Sequence, residues 1–159
     1  MGPTLGHTSC GQAPIMHAMS GAAATSGKER DLVLGDHLVF PILLSKDLDA
    51  SRAFYHDVLG LEIAREDAGD RIVFRCGGGT QLAVTLSTTG TSDTQTQAAW
   101  RVPDIHAALA DLRERGVRIE DYESPDPVTV DGIADMGHSW AAWFLDPSRN
   151  VLAVVQPKA

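Results

Sequence analysis

From Leu38 onward, short apolar runs alternate with clusters of turn-forming residues. "LVFPILLS" predicts a buried strand, with Pro41 tolerated only near an edge or a bulge. Asp47 then stands as an N-cap for "LDASRAFYHDVLG", in which Leu48, Ser51, Phe54, Tyr55, Val58 and Leu59 fall on one helical face. Gly60 suits the C′ position that ends such a helix. "LEIARE", "RIVFRC" and "TQLAVTLS" predict three strands, separated by the turn sequences "AGD" and "GGG".

After the polar stretch "TTGTSDTQT" the pattern begins again. "QAAWRV" predicts a strand, Asp104 repeats the cap of Asp47, and "IHAALADLRERG" predicts a helix with Ile105, Ala108, Leu109 and Leu112 inward. Gly116 repeats Gly60. "VRIEDY" and "HSWAAWFL" follow as strands, and "NVLAVVQ" as the last. Asp146 to Asn150 carries the chemistry of a tight turn: Asp can bond its own backbone, Pro pre-sets φ, and Asn tolerates positive φ. The expectation is an α+β fold of paired β-α-β-β-β modules, an internal repeat, with curved, mostly antiparallel sheets around a cleft. Module one covers 38–87, a linker 88–96 and module two 97–156, within a domain spanning 36–159. Residues 1–35 lack a periodic apolar face and are rich in Gly, Ala, Ser and Thr, so they read as a flexible tail. His7, Cys10 and His17 are too irregularly spaced there to read as a metal site.

Composition changes the picture mainly by exclusion. The chain has 159 residues, enough to bury a core without staples. Its formal net charge of −8 argues against a nucleic-acid or anionic-membrane surface, since both require clustered Lys and Arg. Cys10 and Cys76 form no CxxC pair and read as reduced thiols. The longest apolar run, Leu38 to Leu44, is far short of a membrane span. No charged start is followed by an apolar signal segment, and a cytoplasmic location is expected.

"DLDASRAFYHDVLGLEI" and "FLDPSRNVLAVVQ", in this order and with the repeated pattern between them, resemble the vicinal oxygen chelate superfamily. That superfamily includes glyoxalase I, bleomycin-resistance proteins, fosfomycin-resistance enzymes and extradiol dioxygenases. The resemblance covers 38–156 and implies the fold; one fold hosts many reactions, so it does not fix one. It also implies a homodimer. In metal-dependent members, four inward positions on the first and last strands of each module hold an ion. Carried over by motif, these positions are Phe40, Ala83, Gln97 and Ala153. Phenyl and methyl groups cannot coordinate, and one neutral amide cannot replace four ligands, so no metal and no cofactor are expected. Arg149 departs from the family by standing where Gly is common in the last turn.

Strand alternation extends the candidate site. With Gln97 inward, Ala99 and Arg101 follow and Trp100 turns to the helix side. By resemblance, Trp143 and Ala141 point inward beside Ala153 and Val155. Module one adds Phe40, Ile42, Leu44, Ala83, Thr85 and Ser87. His138, after Gly137, can reach the cleft from a loop. The expected ligand-binding set is therefore Phe40, Thr85, Ser87, Gln97, Arg101, Trp143 and His138, with no catalytic residue assigned. This lining suits a small apolar or aromatic molecule, with Arg101 able to pair an anionic one. Two functions stand: a metal-free binding protein like the bleomycin-resistance branch, working by sequestration, or a glyoxalase-like enzyme (lyase, isomerase, hydrolase or dioxygenase) with a displaced or metal-independent site.

Overall fold

A computed structural model describes residues 34–123 and 127–159. The stretch expected to be a tail falls almost wholly outside these residues, and so do His7, Cys10 and His17. A single 3₁₀ turn, Leu34–Asp36, precedes the folded unit, which begins at Leu38.

The first sheet has four strands: β1 (Ile42–Ser45), β2 (Glu62–Asp67), β3 (Arg71–Arg75) and β4 (Gln81–Leu86). Their spatial order is β1-β4-β3-β2, with β1 parallel to β4 and the other pairs antiparallel. The second sheet has six: β5 (Thr96–Arg101), β6 (Ile119–Glu120), β7 (Thr129–Val130), β8 (Ile133–Asp135), β9 (Ser139–Leu145) and β10 (Val151–Pro157). Its main path is β5-β10-β9-β8-β7, with β5 parallel to β10, and β6 pairs with the flank of β9. The result is an α+β fold of two mostly antiparallel sheets.

Helix α1 (Leu48–Arg52) continues without a break into a π-helical stretch, Ala53–Val58. The single α-helix expected over this segment is thus corrected. Its last turns widen, and Leu59 N–H donates to the Phe54 carbonyl five residues back. Widening turns Tyr55 fully into the core while Phe54 packs at its edge. Helix α2 (Ile105–Glu114) is regular. Asp47 and Asp104 both cap their helices through side-chain oxygens, from the same extended backbone conformation. Gly60 and Gly116, at φ +75° and +81°, end them.

Four further expectations are revised. The first strand begins at Ile42, not Leu38, because Pro41 has no N–H to give a ladder. Phe40 therefore precedes the strand. "VRIEDY" contributes only the two residues of β6. Thr96 opens β5, and a bulge at Gln97 shifts its register against β10. Lastly, module two carries an extra hairpin, β7–β8, turned by Asp131 and Gly132 at φ +53° and +84°. An Asp-Gly pair with both φ values positive is the favoured two-residue hairpin turn.

Helix-side residues of both sheets meet in one core. Leu43, Ile72, Phe74, Leu82 and Val84 come from the first sheet; Ile119, Ala142, Phe144, Leu152 and Val154 come from the second. Phe54 contacts Tyr55 edge-on at 5.2 Å between ring centroids and lies 6.5 Å from Phe144, while Trp100 stacks on Phe144 at 6.2 Å. A buried polar network joins the modules through the β9–β10 turn. The Asp146 carboxylate accepts from Tyr55 Oη (2.8 Å), Asn150 Nδ2 (2.7 Å), and the backbone N–H groups of Ser148 (2.9 Å) and Asn150 (2.8 Å). Asn150 Nδ2 also donates to the Leu44 carbonyl, and Ser148 bonds Ser45, which accepts from Ser51. Arg149 takes φ +67° in this turn, a left-handed backbone conformation that a non-Gly residue holds only with strain.

Candidate functional site

The helix-free face of the first sheet follows from its register. Ala83 pairs with Ile42 on one side and Val73 on the other; Thr85 pairs with Leu44 and Arg71; Gln81 pairs with Arg75. Directly paired residues share a face, and alternation along each strand keeps them there. Arg65 joins this face opposite Val73. All of these except Leu44, together with Phe40 and Ala64, line a cavity of about 320 Å³. Its floor is low because Ala83 and Ala64 are small, and its walls are Phe40, Ile42 and Val73. Ile42 and Phe40 are 59% and 47% exposed, an unusual state for large apolar groups on a sheet.

Charge on this face is arranged around Asp67. Its Oδ1 accepts from Arg65 Nε (2.9 Å) and its Oδ2 from Arg71 Nε (2.8 Å). Arg71 first and Arg65 second hold the Asp67 carboxyl below its usual range. Arg75 pairs with Glu62 at 3.2 Å, where the carboxylate is largely exposed.

The second sheet presents its own helix-free face. Val155 pairs with Arg101 and Ala141, and Ala153 with Ala99 and Trp143, so Arg101 and Trp143 share a face across β10. Trp100 lies on the helix side, packed against the core. Trp143 Nε1 donates to Thr96 Oγ1 at 2.9 Å, and Tyr122 meets its ring edge-on at 5.6 Å. Burial, then Glu120, raises the Tyr122 pKa. Arg101 is exposed, and no ion pair to it is found among the described residues.

The residues expected around one cleft therefore divide. Phe40 and Thr85 meet in the cavity over the first sheet; Arg101 and Trp143 lie on the second. The cavity is lined from module one alone. Gln97 spends its amide within the chain, Oε1 accepting from Val151 N–H (2.9 Å) and Nε2 donating to Thr91 (3.1 Å). Ser87 Oγ accepts from Gly90 N–H and bonds Thr89, closing a turn. His138 is exposed in the loop before β9. At the four positions that the resemblance implies for metal ligands, Phe40, Ala83 and Ala153 have no donor atom, and the Gln97 amide is engaged within the chain. Among the described residues no three His, Cys, Asp or Glu side chains come together to hold one.

Sequence reasoning missed Arg65, Arg71, Val73, Arg75 and Gln81. The signal was present in "RIVFR", where Arg71, Val73 and Arg75 alternate with the buried Ile72 and Phe74. Another cavity, of about 410 Å³, lies between α2 and the β7–β8 hairpin on the helix side of the second sheet. Two of its charged side chains are engaged: Arg113 donates to the Asp131 carbonyl, and Asp135 pairs with Lys158, which sits over the Trp140 ring.

The model of the Glyoxalase/Bleomycin resistance protein/Dioxygenase superfamily matches residues 36–154. No curated protein matches the chain. Solved structures do. TnmS3, an antibiotic-binding protein from Streptomyces sp. CB03234, is 22% identical with a TM-score of 0.59, over 77% of this chain and 96% of that one. A bleomycin-binding protein complexed with bleomycin is 21% identical with a TM-score of 0.58, over 77% and 99%. A lactoylglutathione lyase from Agrobacterium tumefaciens is 19% identical with a TM-score of 0.54, over 76% and 92%. At these identities the likeness is one of fold.

Proposed function

This chain belongs to the glyoxalase/bleomycin resistance protein/dioxygenase superfamily, and from that premise we propose that it is a metal-free, cytoplasmic small-molecule binding protein that sequesters an apolar or aromatic compound. The observation that carries this reading is the cavity over the first sheet. It is walled by exposed apolar side chains, and the position where a metal-dependent relative would offer a ligand from β4 is Ala83. The neighbours of similar fold that bind bleomycin or another antibiotic support binding as the activity.

A homodimer completes the site in this reading. Strands β1 and β5 are edges of their sheets, and an edge strand is a template for another chain. Phe40, Ile42 and Leu44 are apolar and exposed beside that edge. A second copy would bring Arg101 and Trp143 over Phe40 and Thr85, with the indole ring as a stacking platform. His138 would stand at the rim.

Native mass spectrometry of the purified full chain, with metal analysis of the same sample, tests this. A dimer retaining or taking up an aromatic compound without stoichiometric metal is the expected result. A stoichiometric transition metal would instead favour the enzyme reading, and a strict monomer would remove the shared site.

A further inference from the structure

We propose that the cavity over the first sheet selects a compound bearing one anionic group, carboxylate- or phosphate-like, on an apolar body, with Arg71 as the anchor and Arg65 and Arg75 beside it. This rests on the pocket reading above and names its ligand class.

Three guanidiniums line one small cavity in a chain whose net charge is −8. Two carboxylates pair with them, and neither is a full counter-ion. Asp67 is divided between Arg65 and Arg71, one oxygen to each. Glu62 is 72% exposed, so its pair with Arg75 is a weak surface contact.

Arg71 is the best placed of the three. It lies on β3, held between β2 and β4 by ladders on both sides, so its backbone is fixed. Its hydrogen bond to Asp67 uses Nε, and among the described residues no other bond from its side chain is found. A guanidinium carries five N–H donors in a planar fork, which leaves the Nη groups for a ligand oxyanion. Across the ladder stands Thr85, whose hydroxyl adds a donor at the same point. The wall across β4, on the β1 side, is apolar: Phe40 and Ile42, with Ala83 between them and the arginines. One end of the cavity therefore fits an oxyanion and the other a hydrocarbon or aromatic body. Charge-assisted, forked hydrogen bonds are the strong class.

The test compares two probes of equal shape, 2-naphthoate and its neutral amide 2-naphthamide, by titration calorimetry on the full chain at low salt. Wild type is expected to bind the naphthoate at least about 10-fold more tightly, the lower bound for a hydrogen bond to a charged group. Added salt should weaken the naphthoate alone. Arg71→Gln should bring the naphthoate to the level of the naphthamide and leave the naphthamide unchanged. Arg71→Lys, which keeps the charge but loses the fork, should fall between, and it carries the test if the Gln variant fails to fold. Arg118→Gln, an exposed Arg outside the cavity, should alter neither probe. Equal affinity for both probes in wild type overturns this inference and leaves the pocket reading standing. An equal loss of both probes in Arg71→Gln overturns Arg71 as the anion anchor. Binding of neither probe removes the pocket reading and this inference with it.

Discussion

Replacing Tyr55 by Phe removes one oxygen from a fully buried ring and nothing else. The ring keeps its contacts with Phe54 and Phe74, both at 5.2 Å between centroids. What is lost is the 2.8 Å bond from the hydroxyl to Asp146 Oδ2. A hydrogen bond to a charged group contributes about 1.5–3 kcal/mol. Three other donors remain on the carboxylate, so the lower part of that range applies, about 2 kcal/mol. For a chain of this size that corresponds to a fall in Tm of roughly 4–8 °C.

Urea unfolding of wild type, Tyr55→Phe, Asp146→Asn and the double variant measures the loss and assigns it to the pair. The pH dependence gives an independent arm. Burial first, and Asp146 second, raise the Tyr55 pKa above its ordinary value of 10.0. The unfolded chain then releases this proton before the folded one. The Tyr55 contribution is thus complete below pH 10.0 and declines as the pH rises further. Wild type should lose stability there faster than Tyr55→Phe. A Tyr55→Phe variant within about 0.5 kcal/mol of wild type, or single effects that simply add in the double variant, would refute this account of the inter-module bond.

The lowered Asp67 pKa means that its contribution is present above the ordinary value of 3.8 and lost as the pH falls below it, so Asp67→Asn should flatten the acid limb of a urea-derived stability profile. Burial raises the Cys76 pKa, and in a Cys10→Ser background its reaction with a disulfide reagent at pH 8 should be slow when folded and fast in urea; equal rates would contradict its half-buried setting. Gly132→Ala places a methyl 2.6 Å from Ile119 Cγ2 at φ +84°, and should cost at least about 1–3 kcal/mol by thermal or urea unfolding. Arg149→Gly relieves the φ of +67° in the inter-module turn and should raise stability by up to about 1 kcal/mol, offset in part by the entropy Gly adds to the unfolded chain.

Local chemistry carried far in this sequence. Asp47 and Asp104 could be read as caps because a short acidic side chain before an apolar helical stripe has one well-defined partner, the exposed N–H groups of the first turn. The Asp146–Asn150 turn was legible for the same reason. Two local features were legible and overlooked. Asp131-Gly132 announces its hairpin by turn chemistry alone, and "RIVFR" announces by alternation that Arg71 and Arg75 share a face. The π-helical turns at Ala53–Val58 were not legible. Widening there is favoured by what Tyr55 reaches, Asp146 and Phe74, neither of which is near it in the chain.

The division of the site has a deeper cause. Alternation fixes which residues of a strand share a face, because successive side chains must point to opposite sides. Pairing then extends the face across a sheet, from Thr85 to Arg71 and from Ala153 to Trp143. Neither rule says which faces of two sheets meet. That choice is made by burial, and here the helix-side faces win: Leu43, Phe74 and Leu82 share one core with Phe144 and Leu152, while Phe40 and Ile42 stay exposed. Burying an aromatic or aliphatic side chain stabilises by about 1.5–3 kcal/mol, so a shared core of this size outweighs any preference among the polar residues of the other faces. The helix-free faces are then left with what the core does not need, three arginines and a few apolar groups on the first sheet, Arg101 and Trp143 on the second. Residues left exposed at a fold's core-free surface are under no packing constraint, and their chemistry is free to be set by a ligand or a second copy. If that is how these faces are used, substitutions at Ile42 should leave unfolding stability nearly unchanged while weakening dimerisation. Ile42→Asp is the sharpest form. A loss of more than about 2 kcal/mol in the unfolding of an isolated monomer would show instead that Ile42 belongs to the core.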